Sequence, residues 1–141
     1  MNIRSKYFMI TPCIHFQGNC DEAISFYKDA LGAEVKVINY AKDAPPDSEM
    51  EDFPPNFVMY SEVVIFNMIF SLTDGGETPI PYGNFGIMIT YKTADEVKAT
   101  FDKLAEGGNV TEPLSETFWA GLYGEVIDRF GVTWQIMIEQ E

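Results

Sequence analysis

Positive charge is scarce in this chain: 9 Lys and Arg stand against 22 Asp and Glu among 141 residues, a formal net charge of −13. The few cations are scattered, so no basic stripe exists to neutralise phosphates, and nucleic acid is not expected as a partner. Histidine occurs once, at His15, and cysteine twice, at Cys13 and Cys20. A single imidazole cannot supply a two-histidine metal site within one protomer. Two thiols without a CxxC pair build no disulfide framework, so both read as small buried packing residues in a reduced, cytoplasmic chain. No apolar run approaches the roughly 18 residues that a membrane span needs, so no membrane partner is expected. The apolar stretch near the N-terminus is broken by Thr11 and Pro12 with no small-residue cleavage site after it, which argues against a signal peptide.

What the chain does have is apolar and aromatic side chains, 46% and 14% of its residues, ample for a packed interior. Its length suits one compact domain, or two very small modules that share a core. The most informative stretch is residues 115–138, an aromatic loop followed by two strands joined through Asp128-Arg129-Phe130-Gly131. Gly131 stands where a short connection needs a positive φ. In the second strand Val132, Trp134, Ile136 and Ile138 share one face, while Thr133, Gln135, Met137 and Glu139 share the other. The loop before these strands places Phe118, Trp119 and Tyr123 beside the wetter face. That composition fits the mouth of a ligand site, or aromatics that close a small core.

Earlier in the chain, residues 11–16 read as a strand with Thr11, Cys13 and His15 on one face. Asn19 and Glu22 have the spacing of a capping box, and the apolar stripe Ala23, Ile24, Phe26, Tyr27, Ala30 and Leu31 runs to a stop at Gly32. A strand over residues 35–40 follows. Residues 41–56 then hold four prolines and five acids, the composition of a solvated loop. Strands are predicted over residues 57–66 and 68–73. The order then repeats: a strand over residues 85–91, a capping box at Thr93 and Glu96, the stripe Val97, Phe101, Leu104 and Ala105, and a stop at Gly107-Gly108. Asp95-Glu96 echoes Asp21-Glu22 at an offset of 74 residues, so the chain reads as two copies of one supersecondary unit. The expected fold class is α+β: two tandem βαβββ modules, about 7–75 and 84–141 within a single domain 1–141, forming a curved mixed sheet with the helices on its outer face.

These residues carry a family likeness. Gly18 to Ala23 with Phe26-Tyr27, then Glu116 to Trp119, Tyr123-Gly124, Asp128, Phe130-Gly131 and Trp134-Gln135, resemble the vicinal oxygen chelate superfamily of glyoxalases, extradiol dioxygenases and bleomycin-resistance proteins. More narrowly, they are similar to its PhnB-like branch, whose members often carry a label of ubiquinone-type methyltransferase. The resemblance covers nearly the whole chain and implies a cleft on the concave sheet face, where a divalent metal often sits between His and Glu ligands. It also implies a homodimer. Carried onto this sequence, the ligand positions fall at Thr11 or Pro12, at Ser71 or Thr73, at Phe85 or Gly86, and at Gln135. None is an imidazole or a carboxylate, so no metal and no cofactor is expected.

His15 is nonetheless of the residue type that exchanges protons near neutral pH, and Glu62 lies among apolar neighbours on one side of its strand. Both are catalytic candidates, although a partly exposed polar residue and an edge-strand carboxylate explain them equally. Tyr60, Met88, Phe118, Trp119, Tyr123 and Gln135 are the candidate ligand-binding residues. Together they favour a small, partly aromatic molecule over a highly charged one. The reading that follows is a non-metal small-molecule binding protein. Its alternative is a metal-dependent lyase or dioxygenase in which His15, Glu62 and groups of a partner chain replace the usual ligands. A transferase lacks support, since no glycine-rich turn between strand and helix is present to cradle a nucleoside cofactor.

Overall fold

The computed structural model describes residues 10–46, 50–75 and 85–139; the expected module limits at about 7, 84 and 141, and the loop leading to Asn84, lie outside them. The chain divides into two compact units, Met1–Thr78 and Pro79–Glu141. Each repeats the order strand, helix, three strands, with one helix against a four-stranded mixed sheet, as the tandem βαβββ reading requires.

In unit 1, β1 (Cys13–Phe16) leads into α1 (Cys20–Leu31), followed by β2 (Glu34–Tyr40), β3 (Val58–Ile65) and β4 (Met68–Asp74). The sheet order is β1-β4-β3-β2, with β1 parallel to β4 and the other pairs antiparallel. The predicted helical stripe is buried in full, joined by Cys20, and Gly32 closes the helix at φ 67°. Phe16, Tyr27, Val63 and Leu72 form the centre of this core. The loop predicted over residues 41–56 contains two single-turn 3-10 helices, Ala41–Asp43 and Met50–Asp52. β3 stops at Ile65 rather than at Phe66, because Phe66 and Asn67 take φ of 48° and 65° and make the two-residue turn into β4. Such a turn matches the right-handed twist of the two strands it joins.

Asn19 departs from expectation. Its side chain makes no cap hydrogen bond to α1. Instead the buried carboxylate of Asp74, at the end of β4, accepts from the N–H groups of Gly18 at 2.8 Å and Cys20 at 2.9 Å through Oδ1, and from Val58 N–H at 2.9 Å through Oδ2. A long-range carboxylate does what the local amide was predicted to do, favoured also by the positive end of the helix dipole.

In unit 2, β5 (Ile87–Tyr91) leads into α2 (Ala94–Ala105), then β6 (Asn109–Ser115), β7 (Tyr123–Ile127) and β8 (Thr133–Ile138), in the order β5-β8-β7-β6. Here the local cap forms: the Thr93 hydroxyl accepts from Glu96 N–H at 3.2 Å and donates to Glu96 Oε1 at 2.9 Å. β6 lies at the sheet edge, where Pro113 is tolerated, and its register with β7 slips on either side of Glu112. The β7–β8 turn is organised by buried Asp128, which accepts from Phe130 N–H, Val132 N–H and the indole Nε1–H of Trp134. Gly131 sits in that turn at φ 90°, as its position predicted. Val97, Phe101 and Leu104 of α2 are buried, and so are Val126, Trp134 and Ile136 of the strands that α2 packs against.

Candidate functional site

Strand alternation decides what each sheet shows on the side away from its helix. In unit 1, Phe16, Val63, Leu72 and Asp74 belong to the helix side, so Cys13 and His15 of β1, Ser71 and Thr73 of β4, and Tyr60 and Glu62 of β3 belong to the other. Cys13 is paired in register with Ser71, and His15 with Thr73. Continuing the Val63–Phe70 pairing by one residue sets Glu62 across from Ser71. The two catalytic candidates thus share a face but stand two strands apart, roughly 10 Å. Each has its own partner. His15 Nδ1 lies 2.9 Å from Thr73 Oγ1, and the Tyr60 hydroxyl donates to Glu62 Oε2 at 2.6 Å. The structure therefore does not join His15 and Glu62 into one acid–base pair.

The two thiols differ from each other. Cys20, in the first turn of α1, is fully buried, and its thiol is pushed up by burial, then by the charges of Asp74 and Asp21. It is inert packing, as expected. Cys13 was also expected to be buried, and it is exposed, because alternation on β1 turns it away from α1. Its Sγ lies 3.6 Å from His15 Nε2.

In unit 2 the corresponding face has two cross-strand rows. Met88, Gln135, Glu125 and Glu112 form one by register; Thr90, Met137, Tyr123 and Ser115 form the other. Gln135 Nε2 donates to Glu125 Oε2 at 3.4 Å, and the Thr111 hydroxyl donates to Glu125 Oε1 at 3.0 Å. The Tyr123 phenol is pushed above the ordinary value, by burial first and by the Glu125 charge second. A tight turn presents the aromatics: Thr117 accepts from Ala120 N–H through Oγ1 at 2.9 Å, leaving Phe118 and Trp119 at the tip. The Trp119 ring meets Tyr123 edge-on with centroids 4.5 Å apart. Phe118 is 98% exposed, whereas Trp119 packs on Tyr123 of the second row.

Sequence reasoning passed over Glu125, the carboxylate at the centre of this face. The alternation of β7 carried the signal, since Glu125 has the parity of Tyr123. It also passed over Thr73 as the partner of His15, because that pairing depends on a parallel register across 58 residues.

Among the positions that resemblance assigned to metal ligands, the Thr73 hydroxyl is engaged with His15 and the Gln135 amide with Glu125. Among the described residues, no group of three His, Cys, Asp or Glu side chains converges to hold a cation. The donor set does not fit the divalent metal of the superfamily.

A family model described as 3-demethylubiquinone-9 3-methyltransferase matches residues 8–137. The chain is 30% identical over 142 residues to Protein YjdN of Escherichia coli (strain K12), covering 94% of this chain and 96% of that one. Among solved structures, the PhnB protein from Bacillus cereus superposes with a TM-score of 0.78 at 24% identity, covering 92% of this chain and 98% of its own. The fosfomycin resistance protein FosX from Listeria monocytogenes, solved with Mn(II) and 1S,2S-dihydroxypropylphosphonic acid, does so with a TM-score of 0.67 at 10% identity, covering 95% and 94%. At these identities the two structures establish a shared fold and no more. No helix among the described residues is long and apolar enough to cross a membrane.

Proposed function

Because the chain belongs to the family described as 3-demethylubiquinone-9 3-methyltransferase, built on the PhnB-like form of the vicinal oxygen chelate fold, we propose that it is a small-molecule binding protein that works without a resident metal. The observation that carries this reading is the helix-free face of unit 2. There Met88, 53% exposed, and the Trp119–Tyr123 pair border a polar centre made of Gln135 and Glu125. An apolar border around a few oriented polar groups is how a cleft holds a small, partly aromatic ligand and selects its orientation. Gln135 and Glu125 offer both an amide and an anionic acceptor, so a ligand with its own N–H or O–H donors is favoured.

The reading departs from the methyl transfer in the family description. In doubly wound folds a nucleotide cofactor sits on an open, glycine-rich turn leading into a helix. At α1 that place is taken by the Asp74 carboxylate, and at α2 by the Thr93–Glu96 cap. The proposal includes a homodimer and a cytoplasmic setting, as resemblance and the reduced thiols suggest.

Thermal-shift and calorimetric screening against aromatic metabolites and antibiotics tests the reading. Ligand-induced stabilisation that disappears in Trp119→Ala is the expected result. No stabilisation across a broad panel, tight binding of labelled S-adenosylmethionine, or stoichiometric zinc, iron, nickel or manganese in protein purified without chelator would each overturn it. A monomer in sedimentation at micromolar concentration would remove the dimer.

A further inference from the structure

Unit 1 carries a different arrangement, which holds whether or not unit 2 binds a ligand. Cys13 is exposed, and its Sγ lies within hydrogen-bonding reach of His15 Nε2 at 3.6 Å, while the other ring nitrogen of His15 is held at 2.9 Å by Thr73 Oγ1. A nucleophile, a base and a group that orients the base is the pattern of an activated side-chain nucleophile. The triple is built by the sheet. Cys13 and His15 are two residues apart on β1 and so share a face, and the parallel register with β4 brings Thr73 beside His15.

A second observation points to something beyond these three groups. Ser71 is the register partner of Cys13, on the same face, and is only 8% exposed. Its backbone N–H is used by the Pro12 carbonyl, but among the described residues its hydroxyl has no hydrogen-bond partner. A buried hydroxyl of this kind ordinarily finds one. Side chains paired across neighbouring strands lie roughly 5 Å apart, so Ser71 Oγ–H is placed to hold an oxygen atom of a molecule that reaches Cys13.

We propose that Cys13, with His15 as its base, Thr73 as the positioning residue and Ser71 as a hydrogen-bond donor, is a covalent addition site for α,β-unsaturated carbonyl compounds. With Nδ1–H donated to Thr73, Nε2 takes the thiol proton. The sulfur forms a bond to the β-carbon while the π electrons of the C=C bond move onto the carbonyl oxygen, where the Ser71 hydroxyl stabilises the enolate. The α-carbon then takes the proton back from the imidazolium. Nothing leaves, and neither oxidant nor reductant is consumed. A thiolate is a soft nucleophile suited to this carbon. Acyl transfer would place a full oxyanion on the former carbonyl oxygen and would call for more donors than the single hydroxyl beside Cys13.

The test uses the full chain with 2-cyclohexenone and, as a probe without a carbonyl, iodoethane, read by peptide mass spectrometry at pH 7. Cys13 is labelled and Cys20 is not. The rate with 2-cyclohexenone exceeds that of free N-acetylcysteine by about a hundredfold or more, and His15→Gln removes that advantage, within the range of a positioned base. Thr73→Val slows the reaction and Thr73→Ser restores it, which a merely structural threonine would not show. Ser71→Ala slows addition of 2-cyclohexenone and leaves alkylation by iodoethane unchanged. Circular dichroism confirms that each variant is folded. Reaction at Cys13 no faster than at the free thiol, or a His15→Gln rate equal to wild type, overturns the assignment. Binding of an aromatic ligand at unit 2 bears on neither outcome, so the two proposals fail separately.

Discussion

Asp74 caps a helix that begins 54 residues before it: its Oδ1 accepts from Cys20 N–H at 2.9 Å and its Oδ2 from Val58 N–H at 2.9 Å. One carboxylate thereby ties the ends of β4, α1 and β3 together. Asp128 does comparable work in unit 2, where it accepts two backbone N–H groups of its own turn and the indole of Trp134.

Helix capping is accordingly unequal between the two units, and mutation should show it. Asp74→Ala strands three backbone donors and is expected to cost about 3 kcal/mol or more. Thr93→Ala removes a local cap and should cost about 1 kcal/mol. Asn19→Ala, at the position with the better N-cap residue type, should cost under about 0.5 kcal/mol. Urea unfolding ranks the three, and an Asn19→Ala cost above that of Thr93→Ala would contradict the geometry.

That contrast marks the limit of what could be read ahead. Periodicity located both helices, seven of the eight strands and the faces of β8, because burial of Trp134 and Ile136 imposes a period of two on their neighbours, whereas β6 followed only from the repeat of the unit. The same parity put His15, Tyr60, Glu62, Met88 and Gln135 on the helix-free faces. It could not say which polar groups meet. Asp74 is an ordinary strand-end residue by sequence, and only the register of β4 against β1 and β3 brings it to Gly18, Cys20 and Val58. Residue type alone places Cys13 in the core, while its odd position beside His15 implies the open face on which it lies. The hydrophobicity of Phe66 continues that of Ile65 and so predicts strand, whereas the turn geometry needs its positive φ.

Alkali should expose a contribution from Tyr40. Its hydroxyl donates to Asp21 Oδ1 at 2.6 Å, and this bond, then burial, raises the phenol from 10 to about 12. A group whose folded value is raised stabilises fully below the unfolded value and loses that contribution as pH rises through the folded one, so the window is pH 10 to 12. Tyr40→Phe should cost about 1 kcal/mol at neutral pH, the scale of a half-exposed hydrogen bond screened by solvent. Its stability difference from wild type should shrink across the window. Urea midpoints measured in parallel from pH 8 to 12 check this; a constant difference would assign the ionisation elsewhere.

Two glycines should respond to alanine for different reasons. At Gly124 an added Cβ would lie 2.7 Å from Phe101 and 2.8 Å from Leu114, so Gly124→Ala overpacks the contact between β7 and α2. A cost of about 1–3 kcal/mol is expected, with partial rescue by Phe101→Leu. At Gly131 no atom lies within 4 Å, and only the φ of 90° resists a side chain. Gly131→Ala should therefore cost about 1 kcal/mol, and no neighbouring truncation should recover it. Calorimetric unfolding of the single and double variants separates the two causes.

The two tryptophans allow the proposed ligand face to be watched directly. Trp134 is fully buried with its indole N–H bonded to Asp128, and Trp119 is 37% exposed against Tyr123. Acrylamide should quench emission from Trp119 and leave that of Trp134, and Trp119→Phe should remove the quenchable component without changing the fold. A bound aromatic ligand would cover Trp119, so quenching should fall as ligand is added. Losing the larger ring should also weaken affinity by about tenfold, near 1.4 kcal/mol. Gln135→Ala removes an oriented amide without touching either indole, and should weaken binding while leaving free-protein quenching as it was. If a ligand stabilises the protein but quenching of Trp119 is unaltered, the ligand sits away from this face, and the assignment of Met88, Trp119, Tyr123 and Gln135 to its site fails.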